Sequence, residues 1–334
     1  MKRLWWTLPT LVLLTSACFG AAEVSSSTTT EQSSTTTSGP PTTVATTLPE
    51  TTTSQPPAEV GFSFLVANDE GVFLVEGDET TQLVEGPVYH ALDDLQGGII
   101  FQEEWGEIVY RLSPGQSEPH ELLVAAPDQY LWLEDVVARG DDVEIWYSRE
   151  DGYLFSDTVQ TLRVYSFVSG SVTELEEVES GAQFSVSPDL FLGYYGSDGW
   201  YGFVLDNDQL IPVTVPLDPV WLDFEDDPSS WAWLPALSDD GSEIAWLETE
   251  VVDPDLFRNR LVLSEVASGE ITYQISLPDY VDLVHSVDLG DGVVLVNRYG
   301  RDESGWLPAL LIELGPEPTF TELPIAGNAR LVRS

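Results

Sequence analysis

The chain has 334 residues, with 57 Asp and Glu against 12 Lys and Arg and a formal charge of −45. So large an acidic excess repels polyphosphate and anionic lipid, which excludes nucleic acid and a bare membrane surface as direct partners of the folded part. A single cysteine, Cys18, excludes an internal disulfide framework.

The N-terminus opens with basic Lys2-Arg3, continues through an apolar run from Leu4 to Leu14 that contains Pro9, and ends in small residues before Cys18. That order is a secretion signal, and the run is too short for a spanning helix of about 20 residues. Leu14-Thr15-Ser16-Ala17-Cys18 resembles the bacterial lipobox, with Thr15 where leucine is commoner. The resemblance implies a signal peptide over 1–17, cleavage just before Cys18 and a diacylglyceryl group on its sulfur. Each buried methylene contributes about 0.8 kcal/mol, and two acyl chains hold where one holds only marginally. The expected location is therefore extracytoplasmic, lipid-anchored to the cell membrane through acylated Cys18. An acylated thiol is also lost to catalysis and metal binding. Removal of Lys2 and Arg3 leaves ten arginines and no lysine.

Residues 18–59 form the expected anchor and stalk. "SSSTTTEQSSTTTSGPPTTVATTLPETTTSQPP" has almost nothing apolar to bury, and its Ser, Thr and Pro predict a disordered linker that extends to about 100 Å at full stretch.

From 60 to 334 the pattern changes. Runs such as "GFSFLVA", "GVFLVEG", "GGIIFQE", "VEIWYSR", "EIAWLET" and "GVVLVNR" are rich in β-branched and aromatic residues and are bounded by Gly, Asp, Ser and Pro. No amphipathic helix stands out, so the fold class is all-β. The runs group in fours over about 89–126, 130–178, 183–215, 231–277 and 284–323. The starts of these groups are spaced by about 40 to 50 residues, the range for propeller blades. Three strands precede the first group and one, "ARLVRS", follows the last. Together they complete a sixth blade, so the expectation is a six-bladed β-propeller of four-stranded blades closed by the C-terminal strand. A two-sheet sandwich or a pair of small β domains is the alternative.

"LSDDGSEIAWLE" (Leu237 to Glu248) and "FSVSPDLFLGYY" (Phe184 to Tyr195) resemble the Ser-Pro-Asp-Gly turn and following strand of TolB-like and WD-repeat-like propellers. Asp239 replaces the proline in the first and Leu190 the glycine in the second. The resemblance implies a tight turn between an innermost and a second strand.

In a four-stranded blade the second-to-third connection and the link to the next blade share one face. The long segments 148–160, 216–231, 248–260 and 297–306 all sort to that face, where loops exceed what connection requires. They carry Arg149, Arg258, Arg260, Arg298 and Arg301, five of the ten remaining arginines, with aromatic residues among them. Arginine forks bind carboxylates or phosphates and stack on rings, so Arg149, Tyr153, Trp221, Arg258, Arg298, Tyr299, Arg301 and Trp306 are the candidate ligand-binding residues. The opposing reading pairs each arginine with a neighbouring acid.

The expected function is a non-enzymatic binding or scaffolding module for an envelope protein or glycan. The alternative is a glycan-active hydrolase, because sialidase-like glycosidases share six blades, bind substrate carboxylates with arginines and use a tyrosine nucleophile, a role open to Tyr153 or Tyr299. The S-x-D-x-G-x-x-W box of such enzymes is not met by Ser238-Asp239-Asp240-Gly241, and no catalytic residue is assigned. His90, His120 and His285 are too scattered in sequence for a transition-metal site. No cofactor is expected. "FEDDPSS" (Phe224 to Ser230) and "VVDPDLF" (Val251 to Phe257) offer oxygen ligands of the kind Ca²⁺ accepts, without EF-hand spacing.

Overall fold

The structure, a computed structural model, describes residues 61–333 apart from 104–105, 152–158, 180–182, 196–198, 207–208, 218–229, 254–255, 279–282 and 301–304. The signal peptide, Cys18 and the stalk lie outside the described residues. Among those described there is no helix long and apolar enough to cross a membrane.

The described chain forms six antiparallel sheets of four strands. Blade 1 combines β24 (Asn328–Leu331) with β1 (Ser63–Asn68), β2 (Gly71–Glu76) and β3 (Glu79–Glu85). Blade 2 holds β4 (His90–Asp93), β5 (Ile99–Gln102), β6 (Ile108–Leu112) and β7 (His120–Val124). Blade 3 holds β8 (Gln129–Arg139), β9 (Asp142–Asp151), β10 (Val159–Ser166) and β11 (Val172–Glu179). Blade 4 runs through β12 (Gln183–Val186), β13 (Phe191–Tyr195), β14 (Gly199–Asp206) and β15 (Gln209–Val213). Blade 5 comprises β16 (Ser230–Leu237), β17 (Glu243–Asp253), β18 (Leu256–Glu265) and β19 (Ile271–Ser276). Blade 6 comprises β20 (Leu283–Gly290), β21 (Val293–Tyr299), β22 (Pro308–Glu313) and β23 (Thr319–Ala326).

The first strand of each blade is innermost, and these strands touch in the ring order β4, β8, β12, β16, β20, β24 and back to β4. The ring closes where β24 pairs with β1, Phe64 opposite Leu331 and Val66 opposite Ala329. The six-bladed propeller expected from the sequence, with its last strand completing the first blade, is what the chain forms.

The period-two alternation of the strands builds one apolar layer at each blade junction. In β1, Phe64 and Val66 pack with Leu295, Ala309 and Leu311 of blade 6, while Leu65 and Ala67 pack with Ala91, Ile99 and Phe101 of blade 2. Between blades 3 and 4 the fully buried Trp146 stacks on Phe191, ring centroids 5.6 Å apart. Burying such a side chain contributes on the order of 2–3 kcal/mol, so the junctions hold the ring together.

An innermost strand has no strand beyond it, so its inward backbone groups need other partners. Side chains of the preceding blade supply them. Asn297 of β21 takes both backbone groups of Ala329, Asp288 of β20 accepts from Leu331 N–H, and Ser185 of β12 accepts from Leu237 N–H. Gln102 of β5 does the same for β8, donating to Leu131 O and accepting from Leu133 N–H.

The two turns that resemble TolB-like propellers do join innermost to second strands, β12 to β13 and β16 to β17. In the second, Ser238 Oγ caps Glu243 N–H at 3.0 Å, and Gly241 sits at φ +69°, where a side chain would be strained. The segment 248–260, read as a long loop, differs from expectation. It is mostly the extended hairpin of β17 and β18, with Thr249 opposite Asn259 and Glu248 opposite Arg260, and the connection shrinks to 254–255. Buried Thr249 and Asn259 share a 2.7 Å hydrogen bond, which lets polar residues continue the ladder.

Candidate functional site

Among the sequence-nominated residues, Tyr153, Trp221 and Arg301 lie outside the described residues, as do the connections that carry most of the candidate calcium ligands. The others separate. Arg149 is half-buried in β9 of blade 3, and Arg258 is exposed in β18 of blade 5, opposite Glu250. Arg298, only 3% exposed, turns into its own blade 6, donating to Pro308 O from Nε at 2.9 Å and to Glu322 Oε1 from Nη2 at 2.7 Å. The arginines described therefore occupy three blades and do not converge on the axis.

Tyr299 and Trp306 do come together. The strand β21 ends at Tyr299, and an isolated bridge from Tyr299 to Trp306 returns the chain toward β22. Gly305, at φ +77°, lets Gly300 N–H reach its carbonyl at 2.9 Å. The two rings meet edge to face at 5.3 Å, and Tyr299 remains 43% exposed.

They form one wall of a pocket of about 300 Å³. The opposite wall is the β1–β2 turn, Asn68-Asp69-Glu70, with Tyr89 from the link between β3 and β4. All these segments belong to the face of second-to-third and blade-to-blade connections. Asn68 fixes the turn by accepting from Glu70 and Gly71 N–H and by donating to Ala326 O at 2.8 Å. Gly71 is required there, since a Cβ would fall 1.9 Å from Val84 O. Asp69 and Glu70 stay exposed and give the pocket an acidic rim.

Below this pocket the rings of Tyr89, His285 and Trp306 meet. His285 lies edge-on to Trp306 at 4.6 Å and to Tyr89 at 6.0 Å, and its Nε2 is 3.4 Å from the Tyr89 hydroxyl. Burial, with a smaller effect from Arg330, lowers His285 to about 4, so the ring is neutral. Burial and then Tyr299 raise Tyr89, which keeps its phenol protonated.

Beyond the trio lies an axial cavity of about 190 Å³, walled by the innermost strands β8, β12, β16, β20 and β24. Its charged groups are Glu134 and Asp135 from β8, Asp288 from β20, and Arg330 and Arg333 from the C-terminal strand and the residues after it. Arg333 is saturated. Its Nη1 donates to Asp135 Oδ1 at 3.0 Å and to Val136 O at 3.1 Å, and its Nε reaches Asp239 Oδ1 at 2.9 Å. Burial opposes the charge on Arg333, but Asp135, Asp288 and Asp239 outweigh it and hold the guanidinium firmly protonated.

Arg330 is bound differently. Its Nε donates to His90 Nε2 at 3.2 Å, and Asp288 Oδ1 stands 3.8 Å from Nη1. Burial first, then Arg330 and His285, push His90 well below the usual imidazole range, so it accepts as a neutral ring. Burial raises Glu134 to about 7 despite a 2.8 Å hydrogen bond from Ser148. His90 and His285, scattered in sequence, thus flank one arginine, while no group of three or more His, Cys, Asp or Glu able to hold a metal occurs among the described residues.

The axial residues escaped the sequence reading, which ranked cations by loop membership. The available signal was a charged residue in or beside three of the innermost strands: "LWLEDVVAR", "VHSVDLG" and "ARLVRS".

No protein-family model matches the chain, and no curated protein matches it in sequence. Among solved structures, an oligogalacturonate lyase from Vibrio parahaemolyticus is similar with a TM-score of 0.51 at 8% identity, over 77% of this chain and 78% of that one. The Cps50 β-propeller domain of Myceliophteria thermophila is similar with a TM-score of 0.44 at 9% identity, over 73% of this chain and 71% of that one. An ancestral GH74 enzyme gives a TM-score of 0.42 at 10% identity, over 81% of this chain but 36% of the enzyme. At such identities the likeness is one of fold, and the chain is a six-bladed β-propeller.

Proposed function

We propose that the protein is an exported, lipid-anchored propeller that binds an envelope glycan, without turning it over, in the pocket between Tyr299, Trp306 and the Asn68-Asp69-Glu70 turn. The observation that carries this reading is an exposed aromatic wall opposite the carboxylates of Asp69 and Glu70. A sugar ring lays its C–H face on an aromatic side chain while its hydroxyls donate to carboxylate or carbonyl oxygens. The acidic rim disfavours anionic chains, so the ligand is a neutral or amino-sugar glycan. Membrane attachment rests on the lipobox-like sequence at Cys18 and export on the segment before it.

The test is titration of the protein with neutral and anionic envelope polysaccharides. Tyr299→Ala is expected to weaken binding by about two- to tenfold without loss of fold. Binding only of a protein partner, or glycan binding indifferent to Tyr299, overturns the reading.

Hydrolysis is a second reading, favoured by Glu134, a carboxyl titrating near neutrality beside the axial cavity. It requires turnover of an oligosaccharide that is abolished in Glu134→Gln.

A further inference from the structure

Around the axial cavity nearly every polar group already has a partner. Asp135 is held by Arg333 and by Val136 N–H, Asp288 Oδ2 accepts from Leu331 N–H, Ser185 accepts from Leu237 N–H and Ser286 accepts from Asn297. Arg330 is held more loosely. His90 fixes its Nε and Asp288 Oδ1 pairs with Nη1 at 3.8 Å, yet among the described residues neither Nη1 nor Nη2 has an acceptor at hydrogen-bond distance, and its side chain is 18% exposed, toward the cavity it lines. A guanidinium edge without a close acceptor faces a half-open cavity, and its planar fork is complementary to a carboxylate.

We propose that the axial cavity is a binding site for a small monocarboxylate, held by the terminal nitrogens of Arg330 beside the carboxyl of Glu134 and the ring of His285. This stands apart from the glycan pocket, on the far side of the Tyr89–His285–Trp306 trio. Size and charge set the ligand class. A cavity of about 150 Å³ holds benzene, so about 190 Å³ admits an acid of lactate's size or somewhat larger. Asp135 and Asp288 in the same wall repel a dianion, which disfavours phosphate. Glu134, protonated below neutrality, donates to a bound carboxylate that would repel it once ionised.

The groups that face Glu134 define the pH response. Ser148 of β9 and Arg330 of β24 favour its ionised form, burial and Asp135 of β8 oppose it, and His285 and Asp288 of β20 share the cavity. A bound carboxylate adds one more negative charge and raises Glu134 further. Affinity is therefore full below about pH 7, falls as pH rises past that value, and binding above it takes up a proton.

The experiment is calorimetric titration of the full-length protein in detergent with lactate, inorganic phosphate and ethylammonium, at pH 6 and pH 8.5, in buffers of different ionisation heat. Lactate is expected to bind in the millimolar range or tighter at pH 6, about tenfold or more weakly at pH 8.5, and with proton uptake there. Arg330→Gln, folded by circular dichroism, is expected to lose lactate binding. Glu134→Gln is expected to bind lactate equally at both pH values, and this carries the test if Arg330→Gln fails to fold. Tyr299→Ala should leave lactate binding unchanged, which separates this site from the glycan pocket. The proposal is overturned by no lactate binding at pH 6, by preference for phosphate or ethylammonium, by unchanged binding in folded Arg330→Gln, or by a persisting pH dependence in Glu134→Gln.

Discussion

The carboxamide of Asn297 grips the backbone of Ala329 at both ends, Nδ2 donating to its carbonyl at 2.8 Å and Oδ1 accepting from its N–H at 2.7 Å. The two residues lie 32 apart in sequence, in adjacent blades, and both are fully buried. Asn297→Ala strands a donor and an acceptor where water does not reach. The expected loss is about 2–4 kcal/mol of folding stability, read from urea denaturation. A loss below about 1 kcal/mol would show that the clasp is dispensable.

Glu134 and His285 bend the stability profile in opposite senses. Glu134 titrates near 7 in the folded protein, above the usual carboxylate range, so the native state holds the extra proton and stability declines as pH rises from about 4.5 to about 7. His285 titrates near 4, below the usual imidazole value, so the unfolded state holds the extra proton and stability increases from about pH 4 to about 6.5. Glu134→Gln isolates the first effect. The variant should match the parent near pH 4.5 and exceed it by on the order of 1–3 kcal/mol at pH 8, measured by denaturation at both values.

Arg333 joins Asp135 of β8 to Asp239 after β16, and Asp135 is only 6% exposed. Arg333→Met leaves that carboxylate buried without its cation, a change that costs about 3–5 kcal/mol. The double variant Arg333→Met/Asp135→Asn should recover more than half of the loss, because the uncompensated charge disappears with its partner. A double-mutant cycle in urea gives the coupling directly, and additive losses would contradict the ion pair.

The anchor is tested at one atom. Cys18→Ser removes the sulfur that would carry the diacylglyceryl group, and two acyl chains account for membrane retention. The variant is expected to move from the membrane to the soluble fraction, or to remain as uncleaved precursor, as judged by fractionation and mass. Wild-type-like retention of a processed Cys18→Ser product is incompatible with the lipobox reading.

Much of the fold was legible because it is local. Alternation in runs such as "GVFLVEG" sets which face of a strand meets which neighbouring blade, and Gly, Asp and Ser set the turns. The leaderless opening strands and the orphan "ARLVRS" fixed closure by counting alone. The reach of β17 and β18 was not legible, since Asp253-Pro254-Asp255 and the surrounding charges carry loop chemistry while Thr249 and Asn259 pair inside the sheet. The groupings of side chains were less legible than the strands. Tyr299 and Trp306 stand seven apart among the loop aromatics, and only the bridge between them sets ring against ring, while Arg298 follows the pairing alternative, held by Pro308 and Glu322 of its own blade. Arg330, Arg333 and Glu134 come from the ends and middles of strands, and only the ring brings them to one axis.

The strand that fastens the ring also carries its axial cations, so closure and charge neutralisation are one event. Asp135, Asp239 and Asp288 come from three other blades or turns and repel one another, and the counter-ions Arg330 and Arg333 arrive only with β24. A ring that closes without β24 would leave those carboxylates facing each other across the axis, and clasp and counter-ion therefore arrive in the same step.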